Sequence, residues 1–279
     1  MKASIAEVRR KEISNILKRD GNIHTEDIAK KFHVTTETIR KDIKVLQEQG
    51  LAVKCHGGAM AVGECVINRL SKRAVENSEV KKRIAEKAVE LVHDQAILYI
   101  GPGSTCLCIA QLLASFADLT IFTSSLPAAE ALADSRNRVY VLGGRLNGST
   151  MSVHGMWSND VIGSFAPNIA FLGSSGASGY PGPTCGNFEE TETTKKILST
   201  SSKVVVACDS SKFSWAGLVS YSEWEKVDVL VTDSNLSQED WERLRQKTNV
   251  LLVDGQKCVS GDEIPAEEAE EQTENRTID

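Results

Sequence analysis

Residues 34–60, VTTETIRKDIKVLQEQGLAVKCHGGAM, constrain the fold of this chain more than any other stretch. Ile39, Ile43 and Leu46 recur at i, i+4 and i+7, a single apolar stripe along a helix. Thr35 stands where a hydroxyl can accept from the free N–H groups of the first turn. Gly50 follows the last periodic residue, where a left-handed turn favours glycine. Arg40, Lys41 and Lys44 fall off the stripe and put positive charge on the open side. Residues 51–55 read as a short strand, and His56-Gly57-Gly58 as the turn of a small β wing. A helix with one apolar and one cationic face, held by a compact scaffold, suits insertion into the major groove of DNA.

The upstream residues supply that scaffold. Ile5, Val8, Ile13, Ile16 and Leu17 give a first helix an apolar face that ends near Asp20-Gly21. Thr25 is expected to cap a second helix, with Ile28, Ala29 and Phe32 on its buried side. His33-Val34 is the tight turn into the recognition helix. Three helices and a wing make a winged helix-turn-helix, expected over residues 1–60. In Thr38-Ile39-Arg40-Lys41-Asp42, Leu46, Gly50-Leu51 and His56-Gly57-Gly58-Ala59 the chain resembles the DeoR family of bacterial transcription regulators. The expected DNA contacts are Thr35, Thr36, Glu37, Thr38, Arg40, Lys41 and Lys44 on the helix, with Lys54 and His56 on the wing. Of Arg40 and Lys41, one is expected to reach bases and the other phosphate. The alternative role for Arg40 is a surface ion pair with Glu37.

The net charge of −6 conceals an asymmetry. Residues 1–60 hold 12 Lys/Arg against 8 Asp/Glu, whereas residues 259–279 hold one Arg against 8 Asp/Glu. The local field of the basic segment, not the whole-chain charge, steers an encounter with DNA. The acidic tail lacks periodicity and is expected to be disordered. Seven cysteines at irregular spacings, with Cys106-x-Cys108 too tight for a zinc knuckle, imply reduced thiols and no metal site. No signal peptide and no membrane-length apolar run is read, so a cytoplasmic protein is expected.

Residues 61–78 read as a polar connector, and a helix then starts near Glu79. Ile84, Ala88, Leu91 and Val92 repeat along it, while Lys81, Lys82, Arg83 and Lys87 are expected to form a solvated face. From residue 96 the pattern alternates between apolar runs and helical stretches. The runs lie at 97–100, 119–123, 139–142, 170–172, 204–207, 229–232 and 249–253, and the helices at 105–116, 126–133, 188–200 and 237–246. Continuous apolar runs separated by helices predict an α/β fold with a mainly parallel sheet covered on both faces. This second domain, for effector binding and oligomerisation, is expected over residues 79–258.

Ligands of such sheets bind beyond the carboxyl ends of the strands. Four strand ends carry suitable chemistry: Gly103-Ser104-Thr105, Thr123-Ser124-Ser125, Gly143-Gly144 and Asp209-Ser210-Ser211-Lys212. Backbone amides and hydroxyls can cradle a phosphate, Lys212 can add a full charge, and Asp209 can accept from sugar hydroxyls or orient Lys212. These marks, with Leu142-Gly143-Gly144 and Phe171-Leu172-Gly173, also resemble the effector domain of DeoR regulators, related in fold to ribose-5-phosphate isomerase. The resemblance implies a phosphorylated sugar or related metabolite as effector. The chain departs from the family at Gly101-Pro102, where an acidic residue is common. It departs again at Ser124, in place of an asparagine, and at Ser174-Ser175-Gly176, in place of Ala-Asp-Gly.

The sequence therefore reads as a DNA-binding regulator, a repressor of carbohydrate genes, with operator DNA and a small phosphorylated ligand as partners and no cofactor. A homodimer or homotetramer is expected, because one winged helix reads only a half-site. The rival reading is a sugar-phosphate isomerase with a DNA-binding extension. Its carboxylate candidates are Asp209 and Glu189 or Glu190, and no catalytic residue is assigned. A third reading is a DNA-binding scaffold whose sensor domain is empty.

Overall fold

The computed structural model describes residues 5–20, 22–55, 57–61 and 70–253. His56, residues 62–69 of the segment joining the two halves of the chain and the acidic tail lie outside the described residues. The amino-terminal elements are α1 (Ile5–Asp20), β1 (Asn22–His24), α2 (Thr25–Phe32), α3 (Thr36–Glu48), β2 (Ala52–Cys55) and β3 (Gly58–Ala61). Ile13, Ile16 and Leu17 of α1 close a core with Ile28 of α2 and with Ile39, Ile43 and Leu46 of α3. Val8 is not part of it and stands 58% exposed. At 100° per residue it points about 130° away from the direction shared by Ile13, Ile16 and Leu17.

The wing has a third strand that local pattern did not reveal. The antiparallel order is β1-β3-β2, with Ile23 opposite Ala59 and Val53 opposite Met60. Only glycine fits at position 58, where a Cβ would sit 1.8 Å from the carbonyl oxygen of Ile23. Thr25 does not cap α2. His24 is the capping residue and supplies no side-chain bond, while the Thr25 N–H donates to the Gly57 carbonyl at 2.9 Å. Strand β1 runs straight into α2, so the wing backbone supplies the acceptor that a side chain would otherwise provide.

The rest of the described chain opens with two helices, α4 (Leu70–Val75) and α5 (Ser78–Val89). A seven-stranded parallel sheet follows, built from β4 (Ile97–Ile100), β5 (Ala117–Thr123), β6 (Arg136–Val141), β9 (Ile169–Leu172), β11 (Lys203–Ala207), β13 (Val229–Thr232) and β14 (Asn249–Leu252). Its order is β14-β13-β11-β9-β4-β5-β6. Helices α6 (Ser104–Leu113), α7 (Leu126–Leu132), α9 (Phe188–Thr200) and α10 (Gln238–Arg245) connect the strands. Side chains alternate between two cores, as a pleat requires. Leu98, Phe171 and Val205 face one side with Ile84 and Ile109, and Tyr99, Ala170 and Val206 face the other with Trp224 and Leu230.

Two additions interrupt the alternation. A hairpin of β7 (Arg145–Asn147) and β8 (Ser152–His154) leads into the short helix α8 (Met156–Ile162). A ribbon pairs β10 (Thr184–Cys185) with β12 (Val219–Ser220). Strand β6 lies at the sheet edge, so its apolar run is not buried as expected: Tyr140 and Val141 are about half exposed. The strand order reverses between β4 and β9, and sheets of this kind have their ligand crevice at such a switch point, beyond the carboxyl ends of the strands.

Candidate functional site

The first candidate surface is α3. Thr35 caps it, its Oγ1 accepting from the Thr38 N–H at 3.2 Å and lying 2.9 Å from the Thr38 hydroxyl. Asp42 is buried and accepts from Arg9 Nε at 2.6 Å, with Arg10 at 3.9 Å, so two arginines of α1 lock the inner side of the helix. On the outer side Glu37, Arg40, Lys41 and Lys44 are exposed, and Thr36 and Thr38 are half-buried. Arg40 lies 3.5 Å from Glu37 with both side chains mostly in solvent, an arrangement worth at most about 1 kcal/mol and easily exchanged for a phosphate or base. Lys54 is exposed on β2. His33, at φ 52°, makes the left-handed turn that sets α3 across α2.

The second candidate lies at the switch point. After β4, Gly103 at φ 123° turns the chain into α6, and Ser104 and Thr105 open that helix from buried positions. After β11, Asp209 caps a single 3-10 turn, Ser210–Ser214. Its Oδ1 accepts from Asn77 Nδ2 at 3.1 Å, from the Ser211 N–H at 3.3 Å and from the Ser211 hydroxyl. Its buried Oδ2 has no hydrogen bond and lies 3.9 Å from Lys81 Nζ. Burial alone would raise the Asp209 carboxyl. The Ser211 hydroxyl, the Lys212 and Lys81 ammonium groups and Asn77 more than offset this and hold it below the ordinary carboxylate value. Asp233 braces the turn by accepting from the Ser210 N–H at 2.7 Å and the Ser210 hydroxyl at 2.8 Å. The half-buried Lys212 has no ion-pair partner among the described residues.

Lys81 was expected on a solvated face and is 2% exposed. Its Nζ donates to the carbonyls of Arg73, at 2.7 Å, and Glu76, and burial lowers its pKa while Asp209 opposes that shift. Arg73 brings a further cation from α4. Its Nε is out of contact with solvent and has no hydrogen-bond partner. Burial lowers its pKa, and the nearby Glu190 and Glu76 carboxylates oppose that. Glu190 faces inward, where burial raises its pKa against Arg73. Glu189, one residue earlier, is on the surface with Arg145 at 2.7 Å. Asn77, Arg73 and Lys81 thus bring residues expected in a connector or on a solvated helix to the carboxyl ends of the strands. Pattern alone did not mark them. The one available hint was the clustering of Arg73 with Lys81, Lys82 and Arg83 around the start of a helix of apolar period.

Other expected residues are placed differently. The Thr123 hydroxyl donates to the Ile100 carbonyl at 2.7 Å, Ser124 bonds the Tyr99 hydroxyl at 2.9 Å, and Ser125 caps α7 by accepting from Ala128 N–H. All three are fully buried with their hydroxyls engaged inside the fold. Gly143 is exposed, and its carbonyl accepts from Ser158. Gly144, at φ 140°, passes so close to His154 that a Cβ would meet its carbonyl at 2.3 Å. These glycines shape the turn between β6 and β7. Cys106, Cys108, Cys185 and Cys208 are free thiols. Burial pushes Cys106 up to about 12, which makes it a poor nucleophile. Among the described residues no group of His, Cys, Asp and Glu could hold a metal ion, and no helix is long and apolar enough to cross a membrane.

A winged helix with a cationic outer face, followed by a parallel α/β domain with a polar crevice at its switch point, defines a regulator with a sensor domain. Comparison with known proteins agrees with that class. A DeoR-like helix-turn-helix domain matches residues 9–64, and a DeoR C-terminal sensor domain matches residues 76–234. The chain is 30% identical over 227 residues to the glycerol-3-phosphate regulon repressor of Escherichia coli K12, covering 81% of this chain and 90% of that one. It is 29% identical over 229 residues to the lactose phosphotransferase system repressor of Staphylococcus epidermidis, covering 80% and 90%. With the regulator GolR of Listeria innocua it shares 28% over 232 residues, covering 82% and 91%. Ribose 5-phosphate isomerase A of Methanocaldococcus jannaschii aligns at a TM-score of 0.37 and 19% identity, covering 49% of this chain and 55% of that one. The chain belongs to the DeoR family of transcriptional regulators, and is a regulator rather than an enzyme.

Proposed function

We propose that the protein is a cytoplasmic repressor of carbohydrate genes, and that a phosphorylated sugar bound at the switch-point crevice releases it from operator DNA. The observation that carries the reading is the meeting of Lys81 and Lys212 around Asp209 after β11, with the helix start at Ser104 and Thr105 following β4, the next strand but one in the same sheet. A dianionic phosphate there gains charge-assisted bonds from lysine and free N–H groups at the start of α6. Asp209 and Glu190 are the carboxylates available to sugar hydroxyls, which offsets the acids missing at Gly101-Pro102 and Ser175. The relatives named for glycerol-3-phosphate and for a lactose phosphotransferase system favour a phosphorylated carbohydrate over a neutral one. On the DNA side the exposed cations of α3 and β2 are Arg40, Lys41, Lys44 and Lys54, with Thr35, Thr36, Glu37 and Thr38 at the helix start.

Asn77 and Lys81 belong to the segment that enters the sensor half from the DNA-binding half, and both touch Asp209. A ligand that competes for Asp209 or Lys81 therefore acts on the connection between the halves. The test is a thermal-shift screen of phosphorylated sugars, followed by operator titration with and without the best ligand. A ligand at 100 times its dissociation constant should add roughly 2.7 kcal/mol of stability. Lys212→Ala should abolish that shift and the release from operator, and leave operator affinity without ligand intact. A normal response in Lys212→Ala would move the site elsewhere or remove phosphate from the ligand.

A further inference from the structure

Two cations near the carboxyl ends of the strands lack a counter-ion among the described residues. Lys81 faces Asp209 at 3.9 Å, which matches one lysine with one carboxylate. Lys212, on the turn after β11, has no ion-pair partner. Neither has Arg73, on α4, and its Nε is shut off from solvent and donates to nothing. A buried donor left unmade costs its desolvation, and a charged one costs more, so such a group marks a missing acceptor. Burial lowers the Arg73 pKa, and the carboxylates of Glu190 and Glu76 oppose that only in part. Glu190 is itself raised by burial and accepts from Asn187 Nδ2 at 3.1 Å, which leaves it a poor counter-ion for the guanidinium.

The two unpaired cations belong to one short gap. The Arg73 carbonyl accepts from Lys81 Nζ at 2.7 Å, and Lys81 and Lys212 both act on Asp209. The guanidinium is therefore no further from the lysines' end than its own side chain reaches. Burial raises the thiols of Cys106 and Cys108 on α6; Glu190 adds to the first shift and Lys81 opposes the second. The start of α6 thus lies in the field of both ends. Two strand-end positions where the family commonly has a carboxylate hold Gly101-Pro102 and Ser175. Removing negative charge from a site moves its complement towards a more anionic ligand.

We propose that this site takes a phosphorylated sugar acid, with phosphate at the lysines and a carboxylate at Arg73. The proposal rests on the phosphate site at Lys212 and adds a second recognition group at the other end of the ligand. A guanidinium fork fits a carboxylate with two parallel charge-assisted bonds. A polyol phosphate offers Arg73 only neutral hydroxyls, and Gly101 and Ser175 supply no carboxylate to take their protons. Helix α4 is the first described element after residues 62–69, so a ligand held by both Lys212 and Arg73 ties the segment arriving from the DNA-binding half to the turn after β11.

The test titrates the full chain by calorimetry with two matched pairs, each differing only in carboxylate against hydroxymethyl. One pair is 3-phosphoglycerate with glycerol 3-phosphate, the other 6-phosphogluconate with glucitol 6-phosphate. In at least one pair the acid should bind roughly tenfold or more tighter than its polyol, the worth of a hydrogen bond to a charged group. Arg73→Gln should erase that preference, and Arg73→Lys should keep part of it, because the charge stays and the fork is lost. Lys212→Ala should weaken acid and polyol alike. Polyols that bind as well as their acids in both pairs would overturn the proposal in the unmodified chain, whatever the variants do, and leave the phosphate site standing. An Arg73→Gln protein with the parent's preference would overturn it as well. No binding by any of the four would remove the phosphate site and the proposal together.

Discussion

The imidazole of His24, the last residue of β1, lies against the indole of Trp215, the residue that ends the turn carrying Asp209 and Lys212. His24 is also the residue that precedes α2 at its N-terminal cap, and the next N–H, of Thr25, bonds the wing at Gly57. One ring contact therefore joins the turn at the crevice to the DNA-binding scaffold. Burial lowers the His24 pKa, against the pull of Asp27, Glu26 and the Gly57 backbone, so the ring meets Trp215 in its neutral form near neutral pH.

Trp215→Ala is expected to uncouple the two halves. Affinity for operator without ligand should change little, because no residue of α3 is touched. The effect of a phosphorylated sugar on that affinity, about 1–3 kcal/mol in a coupled regulator, should shrink toward zero. Operator titrations of parent and variant with and without ligand read this directly. A variant with full ligand response would show that the ring contact carries no coupling.

Lys81→Met should destabilise the sensor half by about 3 kcal/mol, the low end of what breaking a buried ion pair costs, since its distance to Asp209 is 3.9 Å. Lys82→Met serves as comparison. Its partner Glu79 is 72% exposed, so the change should lie within about 0.5 kcal/mol. Urea unfolding of the two variants separates these outcomes, and equal midpoints would contradict the burial of Lys81.

Arg40→Ala should weaken operator binding by about 1–3 kcal/mol if the guanidinium reads a guanine edge. Glu37→Ala removes the 3.5 Å partner and should leave folding stability within about 1 kcal/mol, because both side chains are solvated. Quantitative footprinting checks the first, and urea unfolding checks the second. An Arg40→Ala protein that folds and binds its operator as the parent does would remove Arg40 from the reading surface.

Acid should destabilise the protein through His154. The ring is 1% exposed, its Nε2 lies 2.8 Å from the Ser152 hydroxyl, and burial pushes its pKa down to about 4. An unfolded chain takes up this proton near pH 6.5, so the contribution of the neutral ring is complete above that pH and is lost as pH falls towards 4. Between pH 7 and pH 5 the loss is about 2 kcal/mol. His154→Gln should flatten the stability profile over that window in urea titrations at each pH. An unchanged slope would show that the ring titrates normally in the folded protein.

Much of the fold was legible because its signals are local. The stripe of Ile39, Ile43 and Leu46 encodes a helix with one buried face, and all three are at most 1% exposed. Seven apolar runs between helices encoded seven parallel strands. The helix cap at Thr35 is read from a hydroxyl three residues before the amide it serves. What the chain pattern could not contain is which element lies opposite which. Lys81 looks solvated in a helical pattern that carries no record of Asp209, and Asn77 meets that same carboxylate 132 residues away. The Val139–Tyr140–Val141 run looks like any buried strand until the strand order sets it at an edge. The hydroxyls of Thr123, Ser124 and Ser125 look available at a strand end, and the tertiary fold uses them inside. Periodicity determines which side of an element is apolar. Only the packing of distant segments determines whether a charge is paired, a hydroxyl is free or an apolar face still lacks its cover.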